Sequence, residues 1–253
     1  MSAFVAPPPA ENGLLSALSG RAEYEHLFRH LEPVTLTTGK IIYHCGEPIR
    51  YVYFPLNSVI FLLATMEDGA TAEVGLVGDE GMLGLSVCMG TDTIPNQAVV
   101  LIANGAVRIK AELLKQAFER GGLLQALLLR YMQALYIQVS QTAACNRIHH
   151  IEVRLARWLL MAHDRMASDD LPLTQEFIAQ MLGTPRPYVT VAAGILEKEG
   201  LIQCRRGHIK ILNREGLESS ACECYRVVRE EFNHFLGDTN SFNKWRHLRS
   251  RAH

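Results

Sequence analysis

Between residues 34 and 111 the apolar positions arrive in short runs with turn signals between them. The runs are VTL (34–36), KIIYH (40–44), YVYFP (51–55), SVIFLLAT (58–65), TAEVGLV (71–77), QAVVLIA (97–103) and AVRIKA (106–111). Thr38-Gly39, Gly46-Glu47-Pro48, Asp68-Gly69, Gly78-Asp79 and Asn104-Gly105 fall between them. Short β-branched and aromatic runs at near-regular spacing predict an antiparallel sandwich or jelly-roll barrel. Before them, Leu15, Leu18, Tyr24, Leu27, Phe28 and Leu31 recur at helical spacing over residues 14–31.

From Ala111 the period changes. AELLKQAFER (111–120) predicts a helix, with Gly121-Gly122 as its stop. Residues 123–150 then run without Gly or Pro, which predicts one long helix. Leu128, Met132, Leu135, Val139 and Thr142 follow a 4-3-4-3 spacing suited to a helix–helix seam, and are assigned to a homodimer interface. Leu124, Leu127, Leu129, Tyr131, Tyr136 and Ile137 make other faces apolar too. Such a helix needs cover on several sides, from its own barrel, from a second subunit, or wholly within one chain. A further helix over 150–166 carries Ile151, Leu155, Trp158, Leu159 and Ala162 on one face, before Ser168-Asp169-Asp170 breaks the pattern.

The most informative stretch is LTQEFIAQMLGTPRPYVTVAAGILEKEGLI (173–202). Thr174 is a suitable N-cap, Phe177, Ile178, Met181 and Leu182 give a short helix its core face, and Gly183 ends it. Gly183-Thr184-Pro185 leads into a second helix, about 186–199. There Val189, Ala192, Ala193 and Leu196 share one face, opposite Pro187, Thr190, Val191, Gly194 and Lys198, with Arg186 at the edge. Geometry alone does not separate a helix-turn-helix from an ordinary αα-hairpin. GLIQCRRGHIKILN (200–213) adds strand, basic turn and strand, the order expected of a β-wing, with Arg205, Arg206, His208 and Lys210 spaced to lie against phosphates.

With these residues in place, the chain closely resembles the CRP/FNR superfamily of bacterial transcription regulators over nearly its whole length. The resemblance implies an α+β chain: an N-terminal antiparallel β jelly-roll of the cyclic-nucleotide-binding type, a long dimerisation helix and a C-terminal winged helix-turn-helix. It also implies a homodimer on palindromic double-stranded DNA, with RNA polymerase as a further partner and an unidentified signal acting at the barrel. By position, Arg186 matches an arginine that contacts guanine in many members, and Thr174 and Gln175 match a helix start that touches phosphate. Tyr188 joins the phosphate-contacting set. Pro187 and Val191 replace the glutamate and second arginine of the cyclic-AMP-responsive branch. The operator of that branch is therefore not expected. Val191 suits a thymine methyl and Thr190 a base edge, completing a base-reading set of Arg186, Pro187, Thr190 and Val191.

The nucleotide cassette departs further. Met82 stands where cyclic-nucleotide binders place glutamate, and no arginine occurs between Arg50 and Arg108 to pair with a cyclic phosphate. Gly81, Met82 and Leu83 mark the corresponding effector region, in a segment that also reads as turn and barrel core. The absence of cysteine before Cys45 argues against the iron–sulfur chemistry of the oxygen-sensing branch.

Composition changes little in this picture. The 253 residues accommodate two domains, and 48% hydrophobic with 20% charged residues suits a soluble globular protein. Net charge is −1, yet residues 1–146 hold 9 Lys/Arg against 13 Asp/Glu while residues 147–253 hold 16 against 13. That asymmetry puts the positive charge on the winged half. No run of about 18 uncharged apolar residues appears, and the start lacks a secretory pattern, so a cytoplasmic protein with reduced thiols is expected. The expected divisions are a disordered leader (1–13), sensor (14–122), dimerisation helix (123–149), DNA-binding domain (150–235) and polar tail (236–253).

GxSxG, P-loop, HExxH and paired-carboxylate motifs are absent, so no enzymatic role is expected. No metal or cofactor is assigned. Two alternatives stand beside DNA binding: a scaffold of the same fold, and a metal or redox sensor using Cys145 and His149, one helical turn apart. Cys222 and Cys224, read as alternate positions of one helix over 218–232, point about 200° apart and are not expected to share a ligand.

Overall fold

The computed structural model describes residues 11–166 and 168–236. Residues 1–10 of the expected leader and 237–253 of the expected tail lie outside the described residues. Asn12, placed in the leader by its sequence, is instead buried. Its side chain caps α1 (Gly13–Leu18) by accepting from the Leu15 N–H, and donates to the carbonyls of Pro55 and Gly81. A buried amide satisfied in this way ties the chain down from its first described turn. The helical spacing over 14–31 resolves into α1, a 3-10 turn (Ala22–Tyr24) and α2 (Glu25–Phe28). Gly20, at φ 74°, supplies the left-handed break between them.

Every run predicted as strand forms one: β1 (Glu32–Thr35), β2 (Ile41–Tyr43), β3 (Tyr51–Pro55), β4 (Val59–Thr65), β5 (Thr71–Val77), β6 (Gln97–Ile102) and β7 (Gly105–Lys110). They make two antiparallel sheets, in the orders β1-β7-β3 and β2-β6-β4-β5. Val52 and Phe54 from one sheet, and Ile60, Leu76 and Val100 from the other, are buried in the shared core. Then come α3 (Ala111–Glu119) and α4 (Gly122–Ile148), whose 27 residues span about 40 Å.

The C-terminal part comprises α5 (Ile151–His163), β8 (Asp170–Leu171), α6 (Gln175–Met181), α7 (Arg186–Lys198), β9 (Ile202–Arg205), β10 (His208–Ile211), α8 (Arg214–Ser220) and α9 (Glu223–Leu236). Its three strands pair in the order β8-β10-β9. The helix predicted over 150–166 therefore ends at His163, and Arg165 follows outside it. The helix predicted over 218–232 is two helices, broken at Ala221-Cys222.

The winged part packs against the sandwich. Phe61 of β4 stacks on Trp158 of α5, with ring centroids 5.8 Å apart, and meets Phe177 of α6 at 5.5 Å. Trp158 Nε1 donates to Glu73 of β5, and Gln180 of α6 donates to Thr71 at 2.7 Å. Arg165 forms an ion pair with Glu80 at 2.8 Å and also reaches Gln138 of α4. On another side of α4, α9 lies so that Tyr131 meets Phe235 at 5.3 Å.

This packing corrects the seam expected on α4. Leu128 and Thr142 are buried within the same chain, and Met132 and Leu135 are half-buried. Of the five residues assigned to a dimer interface, only Val139 is exposed, at 39%. The 4-3-4-3 count was sound as a period, but α4 is turned so that α9 and β5 cover much of that stripe. Among the apolar positions left outward are Leu129, Tyr136, Val139 and Ala143, with Met132 at their margin; Ala144 and Ile148 are exposed off this stripe.

Candidate nucleic-acid interface

Thr174 Oγ1 accepts from the Phe177 N–H at 3.1 Å and caps α6 as its position predicts. At the other end the Gly183 N–H donates to Gln180 and the Thr184 N–H to Ala179. This crossed pair is a Schellman exit, and Gly183 at φ 57° provides its left-handed residue. Arg154 of α5 holds the turn by donating to the Leu182 carbonyl at 2.6 Å.

Pro185, at φ −60° and ψ 138°, is the N-cap of α7, and Arg186 is the first helical residue. Pro187 follows where a backbone N–H has no intrahelical acceptor, so its ring costs no helix bond. Two prolines thus fix φ on both sides of Arg186. Val189, Ala192, Ala193 and Leu196 are buried against α5 and α6. Arg186, Pro187, Tyr188, Thr190, Val191, Gly194, Ile195 and Lys198 are all exposed. The four base-reading candidates therefore share the outward surface of one helix, with Tyr188 beside them.

Several side chains are already engaged. Arg186 Nε lies 3.9 Å from Glu176 of α6; both are largely exposed, so this pair orients more than it stabilises. Thr190 Oγ1 donates to Gln175 Oε1 at 2.8 Å, with the Arg186 carbonyl as a second acceptor at 3.2 Å. A hydroxyl has one proton, so Thr190 faces outward as an acceptor. Gln175 is half-buried at the α6–α7 junction rather than free at the surface.

In the wing, Arg205 pairs with His208 across a turn at Arg206-Gly207, where Gly207 has φ 78°. Ile202, Ile209 and Ile211 point inward, while Arg205, Arg206, His208 and Lys210 are exposed. β8 flanks the hairpin, setting Asp170 3.4 Å from His208 Nδ1. Glu197 of α7 accepts from the Cys204 N–H at 2.8 Å and joins α7 to the wing. Sequence reading missed Glu176, Glu197 and Asp170. Glu176 lies beside Arg186, Asp170 beside His208, and Glu197 holds the Cys204 N–H, and only the folded distances identify them.

The effector region is packed. Gly81 has no room for a side chain, because a Cβ there would fall 2.2 Å from Tyr131. Tyr131 also donates to the Met82 carbonyl at 2.9 Å, and Met82 and Leu83 are buried. Glu80, left without a phosphate-binding arginine in the sandwich, has Arg165 instead. One cleft of this domain, of about 290 Å³, is lined by Tyr24, Leu27, Leu113, Ala117 and Gly122.

Residues 153–220 match the Crp-like helix-turn-helix domain family. No curated protein is significantly similar in sequence. The fold is similar to that of FixK2 from Bradyrhizobium japonicum, at a TM-score of 0.66 and 18% identity, covering 76% of this chain and 98% of that one. A crp/fnr-family regulator from Eubacterium rectale gives 0.63 and 20%, covering 81% and 96%. A CRP-family regulator from Thermus thermophilus gives 0.62 and 19%, covering 74% and 96%. The α+β expectation drawn from the sequence is borne out.

Proposed function

We propose that this chain, a DNA-binding transcription regulator of CRP/FNR type by its residues 153–220 and its fold, reads a palindromic operator as a homodimer. The observation that carries the reading is the outward face of α7, where Arg186, Pro187, Thr190 and Val191 stand together beside an exposed basic wing. Arg186 would read guanine bidentately, and Val191 would meet a thymine methyl. Thr190, presented as an acceptor, favours an exocyclic amine of adenine or cytosine. Thr174, Gln175, Tyr188, Arg205, Arg206, His208 and Lys210 would hold the backbone and set register.

Dimerisation is supported by the apolar positions α4 leaves uncovered. Leu129, Met132, Tyr136, Val139 and Ala143 repeat at 3-4-3-4, the spacing of a two-helix seam. Pairing two copies there would present two reading helices to half-sites about 34 Å apart. A signal received by the sandwich would act through its contacts with α5 and α6, and bound dimers would recruit or exclude RNA polymerase.

No helix among the described residues is long and apolar enough to cross a membrane. Selection of bound duplexes from a random pool tests the whole reading. It should return a two-fold symmetric site with the same spacing in independent selections. Recovery without any consensus would favour the scaffold alternative.

A further inference from the structure

Away from the reading face, the end of α4 meets the start of α9, and four metal-ligating side chains converge. Cys145 lies in the last turn of α4 and His149 is its C-cap, one turn later. Cys222 precedes α9, and Cys224 is the second residue of that helix. Because Cys222 is outside the helix, its thiol does not diverge from that of Cys224 as alternate helical positions would. Both turn toward α4. Cys145 Sγ is 3.5 Å from Cys222 Sγ, and Cys224 Sγ is 3.7 Å from His149 Nδ1. All four ligand atoms lie within 4.8 Å of one another.

We propose that Cys145, His149, Cys222 and Cys224 form a Cys3His site for a zinc-class divalent ion, clamping the long helix to the last helix of the winged domain. A tetrahedral ion with metal–sulfur bonds of about 2.3 Å and metal–nitrogen bonds of about 2.0 Å sets its ligand atoms roughly 3.5–3.8 Å apart. The Cys145–Cys222 and Cys224–His149 pairs already meet that spacing, and the other ligand atoms lie within 4.8 Å.

Two independent observations point the same way. His149 Nε2, the ring nitrogen turned away from Cys224, lies 3.5 Å from Glu223 Oε2. Metal-binding histidines use such a carboxylate to fix the tautomer that frees the other nitrogen for the ion. The surroundings are also cationic: Arg157 is buried, and its field reaches Cys145 and Cys224. The Arg154 guanidinium is in turn favoured by the Cys145 sulfur. The Nε atoms of both arginines are buried without a hydrogen-bond partner among the described residues. Three thiolates, a neutral imidazole and a divalent ion would leave one negative charge. Those arginines would balance it.

The test is titration of the reduced, chelator-treated full chain with cobalt(II), followed by zinc. Roughly one cobalt per chain should bind, with thiolate charge-transfer absorption and the intense visible bands of tetrahedral cobalt, and zinc should bleach both. Cys224→Ser should lose about a third of the charge-transfer intensity, and Cys204→Ser none. Glu223→Gln, at an exposed carboxylate, keeps the test open should a cysteine variant fail to fold; it should weaken cobalt binding on the order of tenfold or more. Absence of charge-transfer absorption overturns the proposal, as does unchanged intensity in both Cys222→Ser and Cys224→Ser. Formation of a Cys145–Cys222 disulfide by a reduced protein that takes up no cobalt overturns it in favour of a redox pair.

Discussion

Arg165 and Glu80 meet at 2.8 Å with 4% and 0% of their side chains exposed, one from the segment after α5 and one from the turn after β5. The guanidinium also donates to the Met161 carbonyl and to Gln138, and lies over the Phe232 ring. Four parts of the chain thus converge on one cation. Breaking a buried pair leaves an uncompensated charge, which costs about 3–5 kcal/mol. Glu80→Gln should lower the unfolding free energy by roughly that amount in urea titration. The double variant Glu80→Met with Arg165→Met should recover most of the loss; equal losses in single and double variants would argue against the pair.

Glu73 sets a pH dependence. Burial raises its carboxyl from an ordinary value of 4.5 to about 7, opposed by the Trp158 N–H and the charges of Arg157 and Arg165. Between those two values the unfolded carboxyl is ionised while the folded one keeps its proton. Stability therefore falls as pH rises through this window, by at most about 1.4 kcal/mol per unit, and the loss is complete above it. Glu73→Gln should flatten the corresponding segment of a plot of unfolding free energy against pH.

Arg186→Ala should weaken binding to the selected operator by about 1–3 kcal/mol while leaving binding to random duplex nearly unchanged. Mobility-shift titrations on both DNAs compare the two directly. A uniform loss would make Arg186 a phosphate contact.

Arg206 stands at the tip of the wing, exposed and outside the strand pairing. Arg206→Ala should weaken all duplexes alike and reduce the slope of log affinity against log salt by about one. A change confined to one operator sequence would instead place Arg206 at a base edge.

Tyr136 is 67% exposed on the open face of α4, whereas Leu128 is fully buried. Tyr136→Glu should convert a dimer to a monomer in sedimentation while the melting temperature of the chain holds. Leu128→Ala should instead cost about 2–5 kcal/mol of stability, as truncation of a buried leucine does.

Short apolar runs and turn chemistry carried the strands, because β-branched and aromatic residues cluster between residues that favour turns. Thr174, Gly183 and the proline pair around Arg186 were equally plain, since capping and proline geometry act within a few residues. What sequence could not show was rotation. Helical periodicity finds the period of α4 but not which stripe its own chain covers, so Leu128 and Thr142 were assigned outward. The same blindness hid the cysteine cluster, because one break at Ala221-Cys222 reverses where Cys222 points relative to Cys224. Arg165 and Glu80 are 85 residues apart, and no local pattern pairs them.

The stacking of Phe61 on Trp158, with Phe177 beside it, bears on whether the winged part can be freed from the sandwich. Cutting the chain after α4 would strip aromatic cover from α5 and α6 and leave a greasy scar next to the reading surface. A detached reader of this kind should self-associate in solution. The sandwich therefore serves as the structural partner of the winged part.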